Sequence, residues 1–146
     1  DFNVDDSIDA HDVDRLVVAI RAKRDLSFDI NHDHLLDGDD LVHWIREYKR
    51  TWFGDANLDG EYNSSDLVQV FQAGHYEDGV AMHSSWADGD WNGDGMFDTG
   101  DLVFAFQDGG YEQGSRAAVT AVPEPSGSVL LIVLTLVSSA RRFGNR

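Results

Sequence analysis

The chain has no cysteine, and proline and methionine occur only twice each among its 146 residues. Without cysteine no disulfide can crosslink the fold, and small domains that lack disulfides often depend on a bound metal ion for stability. Basic side chains are also scarce, since 11 lysine and arginine residues stand against 27 acidic ones, for a formal net charge of −16. This charge repels phosphate backbones, so we expect no nucleic-acid partner. The length allows one or two small domains but not a large enzyme.

The negative charge is concentrated in the first part of the chain. Beyond residue 122 there are one acid, Glu124, and three arginines, so the first 122 residues hold the other 26 acids and 8 bases. A compact domain with this much like charge is destabilised by self-repulsion. Bound divalent cations would supply the missing positive charge.

The chain contains an internal repeat. The segments DLVQVFQAGHYEDG (66–79) and DLVFAFQDGGYEQG (101–114) are identical at 9 of 14 positions, and a polar run precedes each. Two earlier runs fit the same twelve-residue frame. The four runs are loop 1 (1–12), loop 2 (29–40), loop 3 (55–66) and loop 4 (90–101).

Every loop follows one pattern of residue types. Position 1 is Asp, position 3 is Asn, position 5 is Asp, position 9 is Asp or Asn and position 12 is Asp, while positions 8 and 13 are apolar. The loops start 28, 26 and 35 residues apart. A single cluster of Asp, Asn and Gly is usually a solvated turn, but four clusters in one frame favour a shared function.

The pattern matches the chemistry of calcium. This hard cation takes six to eight oxygen ligands, which a twelve-residue loop supplies from side chains at positions 1, 3, 5, 9 and 12 and from the carbonyl at position 7. The candidate ligands are Asp1, Asn3, Asp5, Ser7, Asp9 and Asp12 in loop 1; Asp29, Asn31, Asp33, Leu35, Asp37 and Asp40 in loop 2; Asp55, Asn57, Asp59, Glu61, Asn63 and Asp66 in loop 3; and Asp90, Asn92, Asp94, Met96, Asp98 and Asp101 in loop 4.

Position 6 ranks the four loops. The chain must turn there with positive φ, which glycine adopts without steric cost. Gly60 and Gly95 fill the position in loops 3 and 4, whereas Asp6 and His34 fill it in loops 1 and 2. A non-glycine residue in this conformation costs roughly 1 kcal/mol. We therefore predict tighter calcium sites in loops 3 and 4 than in loops 1 and 2.

The apolar spacing after each loop predicts an amphipathic helix. The apolar positions are Val13, Leu16, Val17 and Ile20; Leu41, Trp44, Ile45 and Tyr48; Leu67, Val70 and Phe71; and Leu102, Ala105 and Phe106. Gly74 and Gly109 stand where the last two helices should end. No segment alternates in polarity over a strand's length, so we predict an all-α fold with, at most, a two-residue bridge between the position-8 segments of paired loops.

The loop-then-helix repeat, with Asp at position 12 and no helix before each loop, resembles the type I dockerin repeat. The resemblance implies calcium-stabilised loop–helix (F-hand) repeats in two pairs, at 1–53 and 54–116. Dockerins are non-catalytic modules that attach polysaccharide-degrading enzymes to cohesin domains, so it also implies a cohesin-like partner. Loop positions 10 and 11, which help to choose the cohesin, are Ser64 and Ser65 in loop 3 and Thr99 and Gly100 in loop 4. Ser and Thr at a helix start are also ordinary caps, which is the alternative.

The composition changes from residue 117 onward. A linker at 117–126 contains Pro123, Glu124 and Pro125, and the segment 127–146 combines a hydrophobic helix with a basic end that includes Arg141 and Arg142. This order resembles the PEP-CTERM sorting signal of Gram-negative bacteria. The resemblance implies export, a transient anchor in the inner membrane, processing by an exosortase-type enzyme, and a final place at the cell surface or outside the cell. The apolar stretch is 14 residues long, and a plain C-terminal membrane anchor is the alternative.

Other functions have less support in the sequence. The chain has no Cys nucleophile, no Gly-rich phosphate loop and no zinc-like His spacing, so we predict no enzyme activity. Trp52, Trp86 and Trp91 could stack on sugar rings in a carbohydrate-binding module, although core or hinge packing is the favoured reading. Calcium sensors have an entering helix, Glu at position 12 and a Met-rich groove, which this chain does not have. We interpret the chain as the C-terminal piece of a longer exported protein.

Overall fold

The computed structural model describes residues 1–116, and four α-helices organise this part of the chain. They are α1 (Ala10–Ala22), α2 (Gly38–His43), α3 (Ser64–Ala73) and α4 (Thr99–Asp108). α2 continues as a π-helix over Trp44–Lys49, and single 3₁₀ turns lie at Leu26–Phe28 and Trp86–Asp88. Residues 1–116 contain only two isolated β-bridges and no strand, so the predicted all-α class is confirmed for them.

The linker at 117–126 and the tail at 127–146 lie outside the described residues, together with Pro123, Glu124, Pro125, Arg141 and Arg142. Within residues 1–116, no helix combines the length and the hydropathy that a bilayer crossing requires.

Each α-helix begins at position 10 of its loop because the loop itself caps it. The Asp or Asn at position 9 is the N-cap, and its side-chain oxygen accepts the N–H of position 11. The Asp at position 12 accepts the N–H of position 9 in return, which completes a capping box. Gly74 (φ 80°) and Gly109 (φ 78°) end α3 and α4 in the left-handed conformation, as predicted.

A single cluster of buried apolar residues connects all four repeats. Its members are Val13, Leu16 and Val17 of α1; Leu41, Trp44 and Ile45 of α2 and its extension; Val70 and Ala105 of α3 and α4; and Phe53, Ala56, Leu58, Tyr62, Trp86, Trp91 and Phe97 from the remaining segments. The predicted inner faces of the helices are therefore confirmed for most positions. Trp86 and Trp91 pack in the core, as the favoured reading of these side chains required.

Three residues of the predicted inner faces are instead exposed: Tyr48 is 62% exposed, and Phe71 and Phe106 are each 48% exposed. Tyr48 lies in the π-helix, whose wider turn rotates later residues away from the face that a 3.6-residue period predicts. Phe71 and Phe106 lie at the core edge, where each ring packs on one side against a position-8 ring, Phe97 or Tyr62, with centroids 5.6 Å apart.

Within residues 1–116 the position-8 residues of loops 3 and 4 form bridges no longer than the sequence allows, but their partners are not each other. Tyr62 of loop 3 bridges to Tyr111, which follows α4, and Phe97 of loop 4 bridges to Tyr76, which follows α3. The Trp91 ring lies between the two position-8 rings, with its centroid 5.8 Å from Tyr62 and 5.9 Å from Phe97. Because the indole separates them, each loop pairs with the chain that leaves the opposite helix.

A glycine immediately before each of loops 3 and 4 makes room for the position-8 ring. Gly54 (φ 102°) and Gly89 (φ 110°) adopt positive φ. A Cβ at Gly54 would lie 2.6 Å from the Tyr62 ring, and one at Gly89 would overlap the Phe97 ring. Both the backbone conformation and the ring therefore require glycine at these positions.

We expect Gly54→Ala to destabilise the protein more than Gly79→Ala. Gly79 also has positive φ (72°), but no atom lies within 4 Å of its Cβ position. The control should cost about 1 kcal/mol for its backbone conformation. Gly54→Ala should cost about 1–3 kcal/mol more, because the added methyl forces the Tyr62 ring out of place. Urea unfolding of both variants measures the difference, and equal losses would contradict the close packing.

Candidate metal centres

All four loops have the same internal hydrogen bonds. In each, the position-1 carboxylate accepts the backbone N–H of position 6. The Asn side-chain oxygen at position 3 accepts the backbone N–H of position 5, and the Asp carboxylate at position 5 accepts the backbone N–H of position 7. The position-12 carboxylate accepts the N–H groups of positions 2, 3 and 9. In loop 3, for example, Gly60 N lies 2.8 Å from Asp55 Oδ2, and Ala56 N lies 2.9 Å from Asp66 Oδ1. The repeated sequence frame is therefore also a repeated structure.

The backbone conformation confirms the turn predicted at position 6. The φ angles there are 68° at Asp6, 71° at His34, 100° at Gly60 and 92° at Gly95. Position 4 has positive φ as well, which the sequence reasoning missed: the values are 62° at Val4, 61° at His32, 57° at Leu58 and 82° at Gly93. Only Gly93 carries a sequence signal for it. A β-branched residue in this conformation is strained, so Val4 adds a cost to loop 1.

Burial distinguishes the loops in the order that position 6 suggested. The position-1 carboxylates Asp55 and Asp90 are 0% and 2% exposed, Asp29 is 8% exposed, and Asp1 is exposed. The position-8 side chain follows the same order, since Ile8 is 50% exposed while its equivalents are buried. Loop 1 is therefore the most open of the four. The relative calcium affinities stay a prediction.

Two buried carboxylate oxygens have no hydrogen-bond partner among the described residues. They are Oδ1 of Asp29 and Oδ1 of Asp90, both at loop position 1. A buried charged oxygen without a partner is costly, and a cation is one group that could satisfy it. The surrounding donors are carboxylate, amide and carbonyl oxygens, which suit calcium better than a transition metal. The residues of the loops therefore fit the ion that the sequence predicts.

The acidic side chains are not already gathered around a common point. Within residues 1–116, no three or more His, Asp or Glu side chains form a group arranged to hold a metal ion. The reason lies in the hydrogen bonds, because both oxygens of each position-12 carboxylate are turned toward backbone N–H groups. The structure thus orders the loop backbone and places the ligand residues within it without closing them into a cage.

The carboxylates at position 1 of loops 3 and 4 resist ionisation. Burial raises the pKa of Asp55 to about 6, and the neighbouring charges of Asp66 and Asp59 raise it further against the hydrogen bonds from Thr51 and Gly60. Burial likewise raises the pKa of Asp90 to about 6. At position 12, burial outweighs the backbone N–H donors and raises the pKa of Asp66 and Asp101. Negative charge in these two loops is therefore short of compensation.

Loop 1 shows the opposite balance at position 12. Burial opposes ionisation of Asp12, but the N–H groups of Asp9, Phe2 and Asn3 together lower the pKa of its carboxyl. Asp12, Asp66 and Asp101 are all buried, so the direction of the pKa shift depends on whether the backbone N–H donors together outweigh burial, as at Asp12, or burial outweighs them, as at Asp66 and Asp101.

The dockerin resemblance assigns partner choice to loop positions 10 and 11. In loops 3 and 4 these residues lie at the starts of α3 and α4 and are exposed to solvent: Ser64, Ser65, Thr99 and Gly100. The Ser65 and Gly100 N–H groups bond the position-9 caps Asn63 and Asp98. The Ser64 hydroxyl donates to Glu112 Oε1 at 2.9 Å, and the Thr99 hydroxyl donates to Glu77 Oε1 at 2.8 Å. Both position-10 hydroxyls are therefore bonded within the chain.

These glutamates belong to two equivalent contacts that the sequence reasoning missed. Each consists of the Tyr–Glu pair after one helix, Tyr76–Glu77 or Tyr111–Glu112, placed against the loop of the other repeat. The N–H of Glu77 donates to Phe97 O, and the N–H of Glu112 donates to Tyr62 O, both at 2.8 Å. We call them the Tyr–Glu clasps. Their sequence signal was present, because Tyr and Glu are among the identical positions of the repeat.

We expect the metal-free protein to lose stability as the pH rises. The pKa of Asp55 and of Asp90 is about 6 in the folded state, above the value of about 3.9 of an unfolded aspartate. The folded state therefore binds more protons between these values, and its stability falls as pH rises from about 4 to above 6. Bound calcium should reverse the sign, because protons then compete with the cation.

Thermal melts of decalcified and calcium-saturated protein at about pH 5 and about pH 7.5 measure both slopes. Asp90→Asn should reduce the pH dependence of the decalcified protein, because the amide does not titrate. A decalcified protein that is more stable at the higher pH would contradict the uncompensated buried charge.

Comparison with known proteins adds no relative to this description. No protein-family model, no curated protein and no solved structure matches the chain. The dockerin and PEP-CTERM resemblances therefore rest on the residues of this chain.

Proposed function

We propose that residues 1–116 form a non-catalytic, calcium-stabilised module of the dockerin kind at the C-terminus of an exported protein. Its loops bind Ca²⁺ through the oxygens at positions 1, 3, 5, 7, 9 and 12, with loops 3 and 4 as the principal sites. The cation supplies the positive charge that the protein lacks and holds each loop against its helix. The module then attaches or stabilises a domain that precedes it, such as a polysaccharide-degrading one.

The observation that carries the proposal is the unpaired Oδ1 of Asp90. Asp90 is only 2% exposed, and its other carboxylate oxygen, Oδ2, accepts the N–H of Gly95, whereas the buried Oδ1 has no hydrogen-bond partner among the described residues. A solvated acidic turn would instead leave its carboxylates in water. The equivalent oxygen of Asp29 is also buried and unpaired, which supports a second site in loop 2.

Two half-exposed apolar pairs support a docking role. Val68 and Phe71 of α3 are 54% and 48% exposed, and Val103 and Phe106 of α4 are 49% and 48% exposed. They occupy equivalent positions of the repeat, four and seven residues after position 10 of each loop. Exposed apolar groups on equivalent helices are typical of an interaction surface. A cohesin-like domain is the partner that the resemblance proposes.

The three tryptophans proposed for the carbohydrate-binding alternative are buried or covered in the structure. Trp86 and Trp91 are 1% and 0% exposed. The half-buried Trp52 is covered by the Arg116 guanidinium, whose central carbon lies 3.8 Å from the ring centroid. These three indoles are therefore not free to stack on a sugar.

Export and sorting form the second half of the proposal. They rest on the order of Pro123-Glu124-Pro125, the apolar run and the arginines in the sequence. An exosortase-type enzyme would process the tail at the inner membrane and release the module to the cell surface or the exterior. A plain membrane anchor predicts that the mature protein keeps the tail, so mass spectrometry of the mature chain separates the two.

Calcium should raise the melting temperature of the full chain, and Asp59→Asn and Asp94→Asn should each reduce that rise. If free calcium is about 100 times the dissociation constant, each site adds about 2.7 kcal/mol. The asparagine keeps an oxygen for the N–H of position 7 but removes one ligand charge, so the loop backbone is preserved. Circular dichroism melts with calcium and with EDTA measure the effect.

Asp39→Asn is the matched control. Asp39 lies at position 11 of loop 2, which supplies no ligand, and it is exposed. It should leave the calcium-dependent rise unchanged although the net charge changes equally. A wild-type protein that melts at one temperature with calcium and with EDTA would overturn the calcium proposal.

The docking role makes a separate prediction. Val68→Lys together with Val103→Lys should weaken binding to a cohesin domain by at least about tenfold, because both helices present a charge where an apolar contact is expected. Calcium-dependent melting should be unaffected, since both side chains are exposed. Surface plasmon resonance against a panel of cohesin domains measures the binding, and wild-type protein that binds none of them removes the partner while leaving the calcium sites intact.

A further inference from the structure

Loops 3 and 4 differ in what faces their position-1 carboxylate. In loop 3 the neutral hydroxyl of the buried Thr51 donates to Asp55 Oδ2. In loop 4 the cationic guanidinium of Arg21 faces the equivalent oxygen, with Nη2 3.7 Å from Asp90 Oδ2. The two loops share one frame and one backbone, so this neighbour is a clear electrostatic difference between them.

Arg21 comes from α1 and is held in place against loop 4. Its side chain is 27% exposed, and its Nη1 donates to the Met82 sulfur at 2.7 Å. Nη1 also lies directly over Gly95, where a Cβ would overlap it. The guanidinium is therefore packed between the segment that precedes loop 4 and the position-6 turn of that loop.

Other contacts of the first repeat pair fix α1 in the same position. Asp14 accepts the N–H of Trp86 at 2.8 Å, four residues before loop 4 starts. Val17 and Leu41 lie 3.5 and 3.6 Å from the Cβ position of Gly93, at position 4 of the loop. By contrast, the Cβ position of Gly60 at position 6 of loop 3, which corresponds to Gly95 of loop 4, has only Ser115 nearby, at 3.8 Å. Loop 4 is thus the loop on which the first pair docks.

We propose that Arg21 sets the calcium affinity of loop 4 and makes it weaker than that of loop 3. This inference rests on the proposed calcium function. In the metal-free protein the guanidinium partly compensates the Asp90 carboxylate. When a cation enters, the same positive charge opposes it, so loop 3 fills first and loop 4 fills at higher calcium.

The number of ligand carboxylates predicts the reverse order. Loop 4 has Asp at positions 1, 5, 9 and 12, whereas loop 3 has Asn63 at position 9 and one carboxylate fewer. More ligand charge normally means tighter calcium binding. Arg21, which lies 69 positions before Asp90 in the chain, cancels that advantage with its positive charge. It also couples loop 4 to the first repeat pair, because undocking α1 would remove the opposing charge.

The experiment compares the wild-type full chain with Arg21→Gln and with the control Arg15→Gln. Arg15 lies on the same helix and is exposed, so the control changes the net charge equally without touching loop 4. The Gly60 and Gly95 amides each donate to their own position-1 carboxylate, at 2.8 and 2.9 Å. Their NMR signals therefore report the two loops separately during a calcium titration.

In the wild type, Gly60 should respond at lower calcium than Gly95. Arg21→Gln should tighten loop 4 by about tenfold, within the usual range of about 5- to 150-fold for coupled sites, and should leave loop 3 unchanged. It should also lower the melting temperature of the metal-free protein, because Asp90 loses its counter-charge. Arg15→Gln should do neither, and Arg21→Lys should keep the wild-type order of filling.

A purely structural role for Arg21 predicts a different result, in which Arg21→Gln lowers the melting temperature and also weakens loop 4. That result, or an unchanged Gly95 midpoint, overturns the inference while the calcium function stands. If Arg21→Gln does not fold without calcium, Arg21→Met provides the same neutral comparison with an unbranched apolar side chain. If the Gly60 and Gly95 amide signals do not respond to calcium in the wild type or in any variant, the calcium function itself is overturned.

Discussion

The fold of residues 1–116 depends on carboxylates that are buried inside loops closed by backbone N–H groups. Each position-12 Asp accepts N–H groups from positions 2, 3 and 9, and so ties the start of the loop to the start of the following helix. This arrangement orders the backbone, but it concentrates negative charge in the interior. Burial raises the pKa of Asp55 and Asp90 to about 6. The protein is therefore built around a deficit of positive charge that a divalent cation can remove.

In the second repeat pair, the contacts around the two loops are related by approximate two-fold symmetry. Each Tyr–Glu clasp fastens the end of one repeat to the loop of the other, and Trp91 separates the two position-8 rings. A change in either loop would reach the clasp that is fastened to it, because each clasp bonds the carbonyl of that loop's position-8 residue. The exposed faces of α3 and α4 are held in a defined relation to each other by the same contacts. The proposed calcium sites and the proposed docking surface thus depend on the same contacts.

The first repeat pair breaks that symmetry. Its α1 contacts loop 4 and leaves the position-6 turn of loop 3 largely open. Its own loops are less enclosed, with Asp1 exposed and Val4 in a conformation that a β-branched side chain resists. The first pair thus contains the more open candidate sites and also places the Arg21 charge against loop 4.

The sequence by itself determined what depends on neighbours within about one loop length. The twelve-residue loop frame, the helix starts at position 10, the positive φ at position 6 and the glycine ends of α3 and α4 all follow from local hydrogen bonds and steric limits. Tertiary structure alone decided the pairing of Tyr62 with Tyr111, the exposure of Tyr48 and the contact of Arg21 with Asp90. These join residues that are distant in the chain, or depend on a change of helical winding, and residue types do not encode them locally. Position 4 shows the boundary, because loop closure imposes a left-handed backbone on Val4, His32 and Leu58 as well as on Gly93, although the conformation strains a β-branched residue.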